Sequence, residues 1–283
     1  ASDVYKRQVY SKQMDQLRMI CLVTILIGCV AFPFVLERAR LKMDQTARAD
    51  APGDFCSLTK GLTHYRYFGP TVGPLVVCVH GLTSPSFIFE AMAKELVTNG
   101  YRVLVYDHYG RGFSDRPSGV QDRQFFVQHL CELLAALREK DAFDLIGYSM
   151  GGAIASAFGV EHPERIKKLI LMAPAGMGHE LGSLAKIALR VPLFGTWAFM
   201  ALYAHMHRQG TEKERALVSE VNYVVDRQQR ELNYLGFQPS VLASLRGILA
   251  TSSQVDHQKL SSKNIEVVAV LSLIHISEPT RRR

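Results

Sequence analysis

The sequence predicts an α/β protein: a mostly parallel sheet covered by helices on both faces. Three observations carry this. From about residue 63 to 175, short apolar runs alternate with stretches of helical spacing, the rhythm that builds parallel sheets from β-α-β units. Some of these runs, such as PLVVCVHG, are apolar without a break, as strands buried on both faces are. Finally, Gly147-Tyr148-Ser149-Met150-Gly151 falls between a strand-like run and a helix-like one.

The elements follow in chain order. Residues 1–8 (ASDVYKRQ) and 271–283 (LSLIHISEPTRRR) resemble translated sequencing-adapter read-through and are set aside from the fold. The natural sequence is then expected from about Val9 to Val270, with Met14 a candidate start. These ends carry net charges of +1 and +2, so the formal +7 falls to +4 without them. That removes most of the case for a nucleic-acid partner, and none is expected.

Residues 14–42 are expected to form an N-terminal membrane anchor. Met19 to Leu36 (MICLVTILIGCVAFPFVL) is eighteen uncharged residues, just enough for a helix to cross a hydrocarbon layer. A cleaved signal peptide, or a lipoprotein signal ending at Cys29, are the alternatives. Arg38, Arg40 and Lys42 after the span lean the orientation towards a cytoplasmic catalytic part.

A polar connector, 43–53, leads to a first core segment, 54–175. There THYRYFG reads as an edge strand, PLVVCVHG as a buried strand and Phe87–Asn99 as a helix. YRVLVYD, FDLIGYS and IKKLILMAP read as further strands, separated by helices at Phe125–Lys140 and Met150–His162. Residues 176–236 break the rhythm with aromatic-rich, helical sequence, expected as a cap. The second core segment, 237–270, brings a helix at Pro239–Leu249 and a strand, NIEVVAV.

The pentapeptide carries the chemistry. A serine flanked by glycines between a strand and a helix is held in a strained turn with its hydroxyl exposed, and the glycines let neighbouring chain approach. Ser149 is the expected nucleophile, with Gly147 and Gly151 supporting. His80-Gly81-Leu82 follows the buried strand. There His80 is expected to brace a loop rather than act as base, because the histidine that activates such a serine follows it in the chain.

With these motifs, and with YDHYGRGFSDRP at Tyr106–Pro117, the chain from about Thr63 to Val270 resembles the α/β-hydrolase superfamily. The likeness is to the branch that includes monoacylglycerol lipases, carboxylesterases and meta-cleavage-product hydrolases. Haloalkane dehalogenases resemble it less, since they place aspartate where Ser149 stands. The resemblance implies an eight-stranded sheet with a helical cap, an oxyanion hole from the amides of Leu82 and Met150, and loop-stabilising roles for Asp107 and Arg111. It implies no metal and no cofactor.

The resemblance also implies an aspartate after the seventh strand and a histidine after the eighth. NIEVVAV counts as the seventh, and adapter-like sequence begins where the aspartate loop is due. Strand 8, its flanking helices and the triad acid and base are therefore expected to be absent, leaving this chain an inactive fragment. His275 comes too soon after the seventh strand. Asp144, His162, His205, His207, Asp256 and His257 hold no position that the family pattern accepts.

The expected activity of the parent protein is hydrolysis of a small hydrophobic carboxylic ester, monoacylglycerols included, at a membrane. Carbon–carbon hydrolysis and a non-catalytic binding role are the alternatives. Leu193, Phe194, Trp197, Phe199, Met200 and Tyr203 make an apolar cap that either suits an acyl or aryl group or packs on the sheet. The five cysteines show no Cys-x-x-Cys pair and read as free, mostly buried thiols. The sequence sets neither ester chain length nor oligomeric state.

Overall fold

The computed structural model describes residues 2–176 and 183–271. His275 and almost all of the adapter-like C-terminal segment lie outside the described residues. In chain order the elements are α1 (Ser2–Arg38), β1 (Asp54–Leu58), β2 (Gly61–Phe68), β3 (Leu75–Val79), α2 (Glu90–Thr98), β4 (Arg102–Tyr106), α3 (Arg123–Ala136), β5 (Phe143–Tyr148), α4 (Met150–Glu161) and β6 (Ile166–Met172). There follow α5 (Ser183–Arg190), α6 (Pro192–Glu214), α7 (Val224–Arg230), α8 (Phe237–Arg246), α9 (Gln254–Ser261) and β7 (Glu266–Val270).

The strands form one sheet in the order β1-β2-β4-β3-β5-β6-β7. β1 and β2 are antiparallel to each other, as are β2 and β4, and every other pair is parallel. The strands alternate as a sheet covered on both sides must. Val77, Val79, Leu104 and Leu145 pack towards α3 and α4, whereas Val76, Cys78, Val103 and Ile146 pack towards α2. All are buried, so the central strands are shielded on both faces, whereas every residue of the edge strand β7 is exposed.

From β3 the chain steps to β4 on one side, and then crosses to β5 on the other. Such a reversal opens a crevice at the carboxyl ends of the strands, because the two following connections diverge. The loop after β3 and the turn after β5 leave the sheet side by side there.

Helices α5, α6 and α8 share a second apolar cluster, including Leu184, Phe199, Phe237, Val241 and Leu245. It joins the sheet cluster through Leu82 and Leu249, which pack against both. α8 therefore packs as part of the helical layer, although the sequence assigned it to the second core segment.

Several expectations need correction. THYRYFG is not an edge strand, because β1 pairs outside it from Asp54↔Tyr65 to Leu58↔Gly61. β1 escaped notice because DFCSL is short and half-exposed, with no alternation to mark it. The helix at 87 begins as a 3-10 turn over Ser86–Phe89. α9 occupies a stretch read as a connector. Only Cys78 of the five free cysteines is fully buried, while Cys21 and Cys29 are exposed on α1.

Candidate active site

Ser149 stands between the last residue of β5 and the first of α4 with φ of 54°, a left-handed conformation that costs a non-glycine residue roughly 1–3 kcal/mol. Three backbone bonds hold it there. Its N–H donates to the Met172 carbonyl at the end of β6 (3.0 Å), and its own carbonyl accepts from Gly152 and Ala175 (2.9 Å each). The neighbouring β6 thus stabilises the strained turn.

The flanking glycines are required by close approach. A Cβ on Gly151 would lie 2.0 Å from the Val79 carbonyl oxygen, and one on Gly147 would collide with the Gly151 carbonyl. α4 can therefore press against the ends of β3 and β5. The loop after β3 is equally near: a Cβ on Gly81 would stand 3.3 Å from that of Ser149.

His80 sets the shape of that loop. It is fully buried, and burial lowers its pKa to about 4, so the ring is neutral. Its Nε2 accepts from the His108 amide (2.9 Å), which leaves Nδ1 to donate to the Gly81 carbonyl (2.8 Å). A trans peptide directs the Leu82 N–H opposite to that carbonyl, so the imidazole orients the amide. Met150, as the first residue of α4, presents an N–H that has no acceptor within its helix.

Asp107 and Arg111 extend the bracing. The Asp107 carboxylate accepts from the amides of Ser86 (2.9 Å) and Phe113 (3.0 Å) and from His64 Nδ1 (2.7 Å). Burial alone would raise its pKa, but His64 and these amides hold it well below the usual carboxylate range. Arg111, with no exposed surface, donates to the Leu82 carbonyl (3.0 Å), Gln121 Oε1 (2.7 Å) and Ser244 Oγ (2.8 Å). One guanidinium thus ties the loop after β3 to the loop after β4 and to α8. Gln228 of α7 adds a tie to Ser84 Oγ (2.7 Å) that no sequence motif announces.

Beside Leu82 and Thr83 lies a cavity of about 400 Å³. Leu184, Phe199, Val241 and Leu245 give it an apolar wall, and Tyr203, His207, Thr211 and Gln228 a polar one. The Tyr203 hydroxyl, His207 Nε2 and Gln228 Oε1 are buried without a partner. These atoms lie beneath the cavity surface, and three unpaired polar atoms in one wall are a cost to stability.

Of the six apolar residues expected in the cap, only Phe199 and Tyr203 line this cavity. Leu193 is 90% exposed and Phe194 57%. The Trp197 indole bonds to α1, and Met200 lines a different cleft against Phe34 and Arg38. A helix exposes different residues to its two sides, and composition could not say which side of α6 meets the sheet.

Among the described residues none is hydrogen bonded to the Ser149 hydroxyl. Asp256 pairs with Arg123, and His257 meets Ser156 Oγ at 3.2 Å. His162 lies against Cys131 (3.3 Å), and His205 points outward from α6. Nor do the described residues contain a cluster of three or more metal-ligating side chains.

The family model described as serine aminopeptidase, S33 matches residues 71–260. The chain belongs to this α/β-hydrolase family. Among curated relatives, the α/β hydrolase is 36% identical to 2-hydroxymuconate semialdehyde hydrolase of a Pseudomonas species over 108 residues, 38% of this chain and 35% of that protein. It is 42% identical to 2-hydroxy-6-oxo-2,4-heptadienoate hydrolase of Pseudomonas putida over 113 residues, 38% of this chain and 40% of the relative. The matched stretch thus spans well under half of each relative's length. Among solved structures, a hydrolase from Pseudomonas aeruginosa superposes with a TM-score of 0.62 at 22% identity, covering 79% of this chain and 81% of that one. An esterase from Exiguobacterium antarcticum gives 0.60 at 20% identity, covering 77% and 80%. These two likenesses are of fold.

Proposed function

We propose that this α/β hydrolase is a membrane-anchored serine hydrolase that cleaves carboxylic esters through an acyl-enzyme on Ser149. The observation that carries the reading is Ser149 at φ of 54°, braced against the loop that holds Gly81 and Leu82. The hydroxyl oxygen attacks the acyl carbon, its proton passes through a base to the leaving alcohol, and water later releases the acid. The negative charge on the carbonyl oxygen is stabilised by the amides of Leu82 and Met150. The acid and base that the family resemblance calls for are not among the described residues.

The cavity supports an ester with two characters. Its apolar wall suits an acyl chain, and its polar lining residues, Thr83, Thr211 and Glu214 among them, suit hydroxyl or carbonyl groups. A monoacylglycerol combines both. Anchoring is supported by α1, in which every residue from Met19 to Leu36 except Pro33 is exposed, and which is long and apolar enough to cross a membrane. So extended an apolar surface is unfavourable in water.

A second reading is favoured by the two Pseudomonas relatives, whose names specify hydrolysis of a semialdehyde and of a dienoate. Carbon–carbon hydrolysis of such an oxo acid would use the same cavity, with the polar wall meeting its oxygens. One experiment tests both. A fluorophosphonate should label the full-length protein at Ser149, and Ser149→Ala should abolish labelling; labelling that persists in the variant, or none in the full-length parent, would overturn the serine mechanism. Comparing a short aryl ester with a meta-cleavage dienoate then separates the two substrates.

A further inference from the structure

The contact between α1 and α6 places part of the helical layer inside the bilayer. We infer that the turn between α5 and α6, with the first two turns of α6, enters the hydrocarbon alongside α1, so that its partner is the lipid acyl-chain layer. This rests on α1 spanning the membrane, as proposed above.

The starting point is one backbone oxygen. In a helix the Cys29 carbonyl would accept from the amide four residues on, but that residue is Pro33, which has no N–H. The Trp197 indole Nε1 supplies the missing donor at 3.2 Å. An unpaired carbonyl is tolerable in water but costs several kcal/mol within hydrocarbon, so this partnership has most value if Cys29 lies inside the membrane.

The depth follows from helix geometry. Cys29 is seven residues before Leu36, where the apolar run ends, and at about 1.5 Å per residue that is roughly 10 Å inside the boundary. Trp197 is held at the level of Cys29. Further along α6, Met200 shares a cleft with Phe34, Glu37 and Arg38, so α6 climbs from the hydrocarbon towards the charged end of α1.

The surface around Trp197 has the matching chemistry. Val191, Leu193 and Phe194 are exposed by 48%, 90% and 57%, and the Phe194 ring stacks on Trp197. Much of the backbone here is satisfied within the chain, the first-turn amides of Leu193 and Phe194 excepted. Arg246 donates to the carbonyls of Ala188 and Pro192, the Thr196 hydroxyl also turns back to Pro192, and the amides of Val191 and Gly195 are bonded within the chain. Arg190, exposed at the end of α5, has a stem long enough to carry its charge to the headgroups. Phe199 and Met206 of the same helix line the cavity beside Leu82.

Trp197 is the sole tryptophan of the chain and reports its own depth. The full chain is reconstituted into phosphatidylcholine vesicles, recovered by flotation, and its emission measured with lipids brominated along the acyl chains and with iodide in the buffer. The inference expects blue-shifted emission, loss of most of it to the brominated lipid, and little loss to iodide. Leu193→Glu should float as before but shift the emission to the red. A protein that floats but is quenched by iodide and not by brominated lipid would leave the anchor standing and overturn the inference. A protein that stays in the aqueous fraction would overturn both.

Discussion

The rim around Ser149 and the helical layer above it are built on opposite principles. In the rim, His80, Asp107, His108 and Arg111 are all buried, and hydrogen bonds join the loops after β3 and β4 through them. In the layer, Phe199, Tyr203 and Phe237 pack mainly by apolar contact, and polar atoms of Tyr203, His207 and Gln228 are left unpaired. The rim has orphans of its own, His108 Nδ1 and Gln121 Nε2, but its bonds between loops specify one geometry, whereas the layer is held mainly by apolar packing. Under the proposed function, the rim would orient the reacting groups and the layer would meet the substrate.

The most severe way to break this contrast is Gly151→Ala. The added methyl carbon would overlap the Val79 oxygen, and α4 could only retreat from β3; a loss above about 4 kcal/mol is expected, read as failure to reach a cooperative unfolding transition. Next comes Arg111→Met, which leaves the Leu82 carbonyl and Gln121 without their donor. Removing a buried hydrogen-bonded charge of this kind should cost about 3–5 kcal/mol, judged by the urea midpoint.

Acidification separates the regions without mutation. Burial lowers the pKa of His80 to about 4 and of His129 to about 3, and holds His108 well below its ordinary value. The unfolded chain protonates these rings near pH 6.5 and the folded one does not, so their stabilising contribution is full above that pH and is lost as pH falls. Glu231 opposes by one proton, because burial raises its pKa to about 7 and its folded form binds a proton that the unfolded form releases. His207 and His257, also lowered by burial, add to the uptake, so unfolding takes up at least about two protons and stability should fall by about 3 kcal/mol or more per pH unit from pH 6 to 5. Denaturant titrations at those two values check the slope; a flat profile would mean that the rim histidines are charged in the fold.

The smallest effect is expected in the layer. Tyr203→Phe removes a hydroxyl with no partner, so stability should change by under about 1 kcal/mol. If it destabilised as much as Arg111→Met, the two regions would not differ in the way described.

Much of the fold was legible because its signals are local. The unbroken apolar runs of β3, β4 and β5, the glycines about Ser149 and the apolar span of α1 each lie within a few adjacent residues. β1 was missed since DFCSL has neither length nor alternation, and it becomes a strand only by pairing with β2. The apolar residues of α6 were recognised as a group but not divided between substrate-facing and packing roles, because periodicity defines faces without naming what each face meets.

By itself, then, the sequence determined the strand–helix alternation, the turn that strains Ser149 and a helix that water does not suit, for these depend on neighbouring residues and on burial against any apolar partner. Tertiary structure alone decided that Arg111 reaches Ser244 across 133 positions, and that Trp197 completes a carbonyl on α1 across 168. Both contacts depend on how rigid elements rotate and dock, and docking is set by the packing of the whole chain rather than by the order of residues along any part of it.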